Sequence, residues 1–338
     1  MDGMDFDLDA LRQSKLIGYG AGLATLLTLR ETPLDLEFIV DDSPASQGTQ
    51  LFGIPIVSPA ELDRVNLADY RVVIFAYTGS AIRAIGDRLA ASGLSFPDGW
   101  IDCSLLHFES YRRRLKTSLA IDASPELFAI ARLLSIYSYP QNLSGFAGTW
   151  LYLELVKHLN RLELAGDIAE LGIFQGGNAF CSLMAGRDIL GGRTLRLFDS
   201  FAGFPALSVH DPSQRRSEFV DTTLTKVRSY LSPFSNVRIH PGFFEDTLAA
   251  ARAERFAFVY YDADLYEPAM NCCEFFHDKL APGGMMLFHD YCAEEPELPR
   301  GAKVPFSGVK KAVDEFFSTR SDTLVHFPET THVLAIRA

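Results

Sequence analysis

Two short apolar runs in the second half of the chain each finish in acid. One reads Phe258-Val-Tyr-Tyr-Asp262-Ala-Asp264-Leu-Tyr266-Glu-Pro, the other Gly283-Gly-Met-Met-Leu-Phe-His289-Asp290-Tyr291. Between them, Ala269 to Leu280 carries helical apolar spacing and stops at Ala281-Pro-Gly-Gly. Strand, helix, strand is a parallel crossover, right-handed almost without exception, and neighbouring strands lie about 4.8 Å apart. Asp264 and Asp290 are therefore expected to meet at the carboxyl edge of one sheet, where open α/β folds keep their ligands. Clustered carboxylates there suit a divalent cation held through oxygen, with a position left open for substrate. Either acid alone would pass for a solvated strand end; the two in this context read as a site.

The elements that must carry this site are organised by two glycine-rich strand-to-helix turns. The first is Lys15-Leu-Ile-Gly18-Tyr-Gly20-Ala-Gly22, followed by strands ending at Asp41 and Tyr77, a helix from Thr78 to Ser92, and a last short strand, Trp100-Ile-Asp102. It predicts a compact βαβ-rich domain over residues 1–104. Residues 105–144 read as a helical connector and residues 145–338 as the larger domain. That domain opens with a helix over Thr149 to Leu164 and the turn Gly166-Asp-Ile-Ala-Glu170-Leu-Gly172-Ile-Phe-Gln-Gly176-Gly177. Closely set glycines let backbone approach a ligand at a helix start. A second strand, Thr194 to Asp199-Ser200, ends in acid 27 residues after Gly172. An acid at that tip is placed to accept hydrogen bonds from the ribose hydroxyls of a bound nucleoside.

Length and composition frame these motifs. A chain of 338 residues suggests two domains, and 48% hydrophobic residues with 26 Phe suffice for full cores. A formal charge of −12 argues against a nucleic-acid partner. No apolar run approaches the length of a membrane helix, and the acidic start Met-Asp-Gly-Met-Asp lacks the basic character of a signal peptide. Five cysteines without a C-x-x-C pair make a disulfide framework or zinc site unexpected. The composition points to a soluble cytoplasmic protein.

Taken in chain order, these stretches resemble the macrocin O-methyltransferase family from about residue 145 to 338. The carrying segments are Gly166 to Gly177, Leu197-Phe-Asp-Ser-Phe-Ala-Gly-Phe-Pro205, Pro241-Gly-Phe-Phe-Glu-Asp-Thr-Leu248, Asp262-Ala-Asp-Leu-Tyr266, His289-Asp-Tyr291 and Gly308-Val-Lys-Lys-Ala-Val-Asp-Glu-Phe-Phe317. The resemblance implies a class I methyltransferase: a Rossmann-like seven-stranded α/β sheet with its last strand antiparallel, supplied by Thr331 to Ile336. It implies S-adenosylmethionine as cofactor, a divalent cation such as Mg2+, and a hydroxyl of a sugar or similar natural-product metabolite as acceptor. Glu170, Gly172, Gly176, Asp199, Ser200, Phe244, Glu245, Asp246 and Asp262 would then hold the cofactor. Asp264 would be base and metal ligand, Asp290 a second ligand. The family places two adjacent aspartates where this chain has His289-Asp290. Histidine is a poor magnesium ligand, so magnesium with fewer protein ligands, a softer metal, or His289 as a metal-free base all remain open.

Two polar loops are candidate lids: Ala202 to Thr222, with His210, Arg215 and Arg216, and Cys292 to Ser307. Tyr266 and Tyr291 flank the acids as possible pocket walls. The first domain resembles the Rossmann-like C-terminal domain of sugar C-methyltransferases through Gly18-Tyr-Gly-Ala-Gly22, Val40-Asp-Asp-Ser-Pro44 and Gly53-Ile-Pro-Ile-Val-Ser-Pro59. Nucleotide-sugar binding or a scaffold that packs and makes a homo-oligomer ranks above NAD binding, because Leu23 stands where a G-x-G-x-x-G pattern wants glycine. An NAD-dependent oxidoreductase and a non-catalytic nucleotide-sugar-binding protein are the alternatives to methyl transfer.

Overall fold

The structure is a computed structural model and describes residues 8–135, 145–185, 187–212 and 218–338. Its first sheet is built from β1 (Lys15–Tyr19), β2 (Leu36–Val40), β3 (Gln50–Leu51), β4 (Ile54–Val57), β5 (Tyr70–Ile74) and β6 (Trp100–Asp102), in the order β3-β4-β2-β1-β5-β6. After α1 (Leu8–Arg12), helices α2 (Leu23–Glu31) and α3 (Gly79–Ala91) follow β1 and β5. The short β3–β4 hairpin was not legible in the sequence; it gives the sheet its only antiparallel pair among the described residues. Then come α4 (Cys103–Leu119), α5 (Pro125–Ser135) and α6 (Gly145–Arg161).

The second sheet has seven strands: β7 (Asp167–Leu171), β8 (Leu195–Asp199), β9 (Val237–Pro241), β10 (Phe256–Tyr261), β11 (Leu280–Phe288), β12 (Thr323–Phe327) and β13 (His332–Ile336). Their order is β12-β13-β11-β10-β7-β8-β9, with β13 antiparallel to both neighbours. This is the expected class I methyltransferase sheet. Among its helices, α7 (Gly177–Met184) follows β7, α8 (Phe244–Thr247) follows β9, α9 (Tyr266–Phe276) joins β10 to β11, and α10 (Gly308–Phe317) precedes β12. β10 reads Phe-Ala-Phe-Val-Tyr-Tyr and is buried along its whole length. A central parallel strand covered on both faces needs such a continuous apolar run.

One apolar core runs from the first sheet through α4–α6 into one face of the second. Trp150 and Tyr152 of α6 are fully buried, and the Tyr152 ring meets Phe258 and Tyr260 edge-on at 5.4 Å. Polar contacts add orientation. Tyr77 Oη donates to the Glu329 carbonyl at 2.7 Å, Tyr111 Oη donates to Thr330 Oγ1, and the Arg114 guanidinium donates to the His326 carbonyl at 3.1 Å. Among the described residues no helix is long and apolar enough to cross a membrane.

Candidate functional site

The carboxyl ends of β7, β8, β10 and β11 border one cavity of about 550 Å³. At its β7 end the glycines are required by contact as much as by conformation. Gly172 has φ +81°, and a Cβ there would lie 2.2 Å from the Asp262 carbonyl; Gly176, at φ +77°, would meet Tyr230 Oη at 2.6 Å. Beside them Glu170 is almost fully buried, and its Oε2 has no hydrogen-bond partner among the described residues. Burial, reinforced by the charges of Asp262 and Asp199, raises its carboxyl to about 8. The Ala179 backbone amide bonds the same carboxyl, which leaves Oε2 as the buried oxygen in the cavity wall that a ligand could complete. Asp199, at the tip of β8, receives the Phe174 amide at 2.8 Å and the Phe201 amide at 2.7 Å. Burial raises its carboxyl as well.

At the other end, register decides which acid meets which. Tyr261 of β10 pairs with Phe288 of β11, so the next residues along, Asp262 and His289, are the neighbours. Asp262, His289 and Asp290 bring their ligand atoms within 4.8 Å of one another. Asp264, expected to meet Asp290, lies two residues farther on, where the chain has turned toward α9, and is not a member of that group. It still lines the cavity, nearly buried, with φ at +65°; Asp290 has φ +55°. Two non-glycine residues held in left-handed backbone, each costing ~1–3 kcal/mol, is strain of the kind found at functional sites. Asp262, expected on the cofactor, lines the cavity and also belongs to this group.

His289 Nδ1 sits 2.8 Å from Asp262 Oδ1 and 3.4 Å from Asp290 Oδ2. Burial pulls the imidazole down, but the charges of Asp290 and Asp262 and their hydrogen bonds outweigh it and hold the ring well above the usual histidine value. The ring's Nδ1 thus lies between the two carboxylates. Behind it runs a buried relay. Tyr260 Oη donates to Asp262 Oδ2 at 3.1 Å, His332 Nε2 lies 3.3 Å from Tyr260 Oη, and Thr330 Oγ1 lies 2.8 Å from His332 Nδ1. Burial first, then the His289 charge, keeps His332 neutral. An Nε2–H tautomer satisfies every link, with Tyr111 donating at the far end. Magnesium asks for near-octahedral oxygen ligands at about 2.0–2.1 Å. A donor set whose central atom is an imidazole nitrogen bonded to the carboxylates does not fit it.

Of the other expected residues, Ser200, Phe244 and Glu245 line the cavity, whereas Gly176 and Asp246 do not; Gly177 and Asn178 take part in their place. Tyr266 and Tyr291 are turned away, donating to Glu315 Oε2 and Asp314 Oδ1 at 2.6 Å each. His210 packs edge-on against Tyr266 at 4.6 Å; Arg215 and Arg216 fall outside the described residues. Both candidate lids contribute, through Phe204 and Phe219 from one and Lys303 and Phe306 from the other. Sequence reasoning missed one wall: Gly22, Leu23, Ala24, Tyr77 and Thr78 of the first domain border the same cavity. The only available signal was that they too follow strand ends.

Comparison with known proteins agrees with the motifs. Residues 152–302 match the family model described as macrocin-O-methyltransferase (TylF). Mycinamicin III 3''-O-methyltransferase of Micromonospora griseorubida is 30% identical over 162 residues, 40% of this chain and 63% of that protein. The 8-demethyl-8-(2,3-dimethoxy-alpha-L-rhamnosyl)-tetracenomycin-C 4'-O-methyltransferase of Streptomyces olivaceus is 31% identical over 143 residues, 38% of this chain and 54% of that one. The chain thus spans less than two thirds of the length of these curated relatives. Among solved structures, the O-methyltransferase NovP is similar with 24% identity and a TM-score of 0.46, covering 70% of this chain and 99% of that one. The matched segment begins after the first sheet and spans β7 to β11.

Proposed function

We propose that the chain is an S-adenosylmethionine-dependent O-methyltransferase acting on a hydroxyl of a sugar or a similarly hydroxylated small molecule. The observation that carries this reading is one cavity with the Glu170 carboxyl, one oxygen of it without a hydrogen-bond partner among the described residues, and Asp199 at one end, and Asp264 with the Asp262–His289–Asp290 group at the other. The cofactor, when bound, supplies a methyl group already activated on a sulfonium. Glu170 would receive its ammonium and Asp199 its ribose hydroxyls, with Gly172 leaving room for the backbone approach. The protein's own task is alignment. Asp264 is the group we assign to take the acceptor proton. His289, held through Nδ1 by the two carboxylates, would present its Nε2–H to the acceptor oxygen and favour the developing alkoxide. A donor already fixed in place does this without reorganisation. No step is assigned to magnesium.

The names of the relatives support a sugar-bearing natural product as acceptor. NAD chemistry in the first domain is disfavoured by its geometry. Asp41 there receives the Ala21 and Ser43 amides at 2.7 and 2.8 Å and does not line the cavity. Calorimetry with S-adenosylhomocysteine and with NAD tests the assignment. Saturable binding of the former and none of the latter is expected. NAD binding without S-adenosylhomocysteine binding would overturn it.

A further inference from the structure

The first domain's carboxyl edge is built to face a ligand that its own motif does not hold. Gly22 to Ala24 follow β1, and Tyr77 and Thr78 follow β5; all border the cavity shared with Asp264 and His289. The turn is set from within. The Ala21 amide is fixed by Asp41, Thr25 Oγ1 donates to the Gly20 carbonyl at 2.6 Å, and a Cβ at Gly20 would lie 2.5 Å from the Phe75 carbonyl. Gly22 differs. Its φ is −100°, and a Cβ there would meet nothing within 4 Å, so it opens onto the space itself.

The wall is anchored to the second domain. Tyr77 is held through the Glu329 carbonyl. At the far end of α2, Arg30 bonds Glu295 at 2.9 Å and Glu297 at 3.0 Å, and Ser46 Oγ donates to the Arg300 carbonyl at 3.3 Å. These contacts hold the loop that carries Lys303 and Phe306 to the cavity. Leu23, Ala24 and Tyr77 line the same cavity as Phe204, Phe219 and Phe306.

Resting on the methyltransferase reading, we infer that the first domain forms part of the acceptor site: Gly22, Leu23, Tyr77 and Thr78 contact the apolar body of the acceptor while Asp264 and His289 engage its hydroxyl. Contacts remote from the reacting atoms supply binding energy that positions the reactive group, so these residues determine which acceptors are used.

The test uses two probes, S-adenosylhomocysteine and the sulfonium analogue in which benzyl replaces the transferable methyl. The benzyl group projects from sulfur toward the acceptor's place. The parent protein is expected to bind both. Gly22→Phe, unstrained at its φ, and Leu23→Trp as a second filling variant should keep S-adenosylhomocysteine affinity within twofold and weaken the benzyl analogue at least tenfold, with each variant's fold checked by circular dichroism. Equal loss for both probes would move the wall to the cofactor end and overturn the inference. Unchanged benzyl affinity in both folded variants would overturn it too, as would a parent that binds S-adenosylhomocysteine but not the analogue. A parent that binds neither probe refutes the methyltransferase reading itself, and with it this inference.

Discussion

Replacing Glu170 with Gln tests whether its buried carboxyl, with Oε2 unbonded among the described residues, is the cofactor's anchor. With the carboxyl raised to about 8 by burial and by the neighbouring Asp262 and Asp199, about nine-tenths of the molecules carry a proton there at pH 7. A ligand ammonium that needs the carboxylate must expel that proton. Binding of S-adenosylhomocysteine at pH 7 should therefore release about 0.9 proton, measured calorimetrically in buffers of different ionisation enthalpy. Affinity should rise roughly tenfold from pH 6 to pH 7, since each pKa unit costs about 1.4 kcal/mol. In Glu170→Gln the proton release vanishes. The charge-assisted bond it loses is worth about 1.5–3 kcal/mol, but at pH 6 the parent spends about 2.7 kcal/mol on deprotonation. The variant should match the parent at pH 6 and fall roughly fiftyfold behind by pH 8. Affinity independent of pH, with no proton released by the parent, would refute the reasoning.

Four further outcomes are expected. Asp199→Ala should lower S-adenosylhomocysteine affinity roughly tenfold or more, the loss of two hydroxyl bonds; unchanged affinity in a folded variant would remove Asp199 from the ribose. Asp264→Asn should keep cofactor affinity and melting temperature but reduce turnover about 10²–10⁴-fold, and parent-like turnover would end its role as base. His289, raised in the fold, contributes stability that is complete below its ordinary value of about 6.5 and is lost as pH rises through the higher folded value. The parent's melting temperature should therefore decline above neutrality more steeply than that of His289→Gln. Added Mg2+ should stabilise His289→Asp, which has an all-oxygen set, and leave the parent unshifted.

Much of the second domain was legible because its chemistry sits at strand ends. An apolar run that stops in acid, or a glycine turn entering a helix, marks the sheet's carboxyl edge without any knowledge of the fold. What the chain did not disclose was the pairing of those ends. Asp262 and Asp264 are interchangeable in a one-dimensional pattern, and only the match of Tyr261 to Phe288 makes Asp262 the partner of His289. The Gly18–Gly22 turn was legible as a turn but not as a wall, because local spacing does not encode what another domain brings opposite. Gly20 is required by the nearby Phe75 carbonyl, a packing reason that a nucleotide fingerprint imitates.

The contacts that dock the first domain carry a consequence for biosynthesis. Its sheet is complete at Asp102, yet Tyr77 waits for Glu329, 252 residues later, and Tyr111 waits for Thr330, 219 residues later. At about 5–20 residues per second on the ribosome, the Tyr77 interval lasts roughly ten to fifty seconds. During it the nascent first domain presents hydroxyl groups that water can satisfy alongside its apolar wall. The wall that Tyr77 gives the cavity is therefore anchored last, once the turn before β13 arrives, although every lining residue up to Phe306 has by then been made.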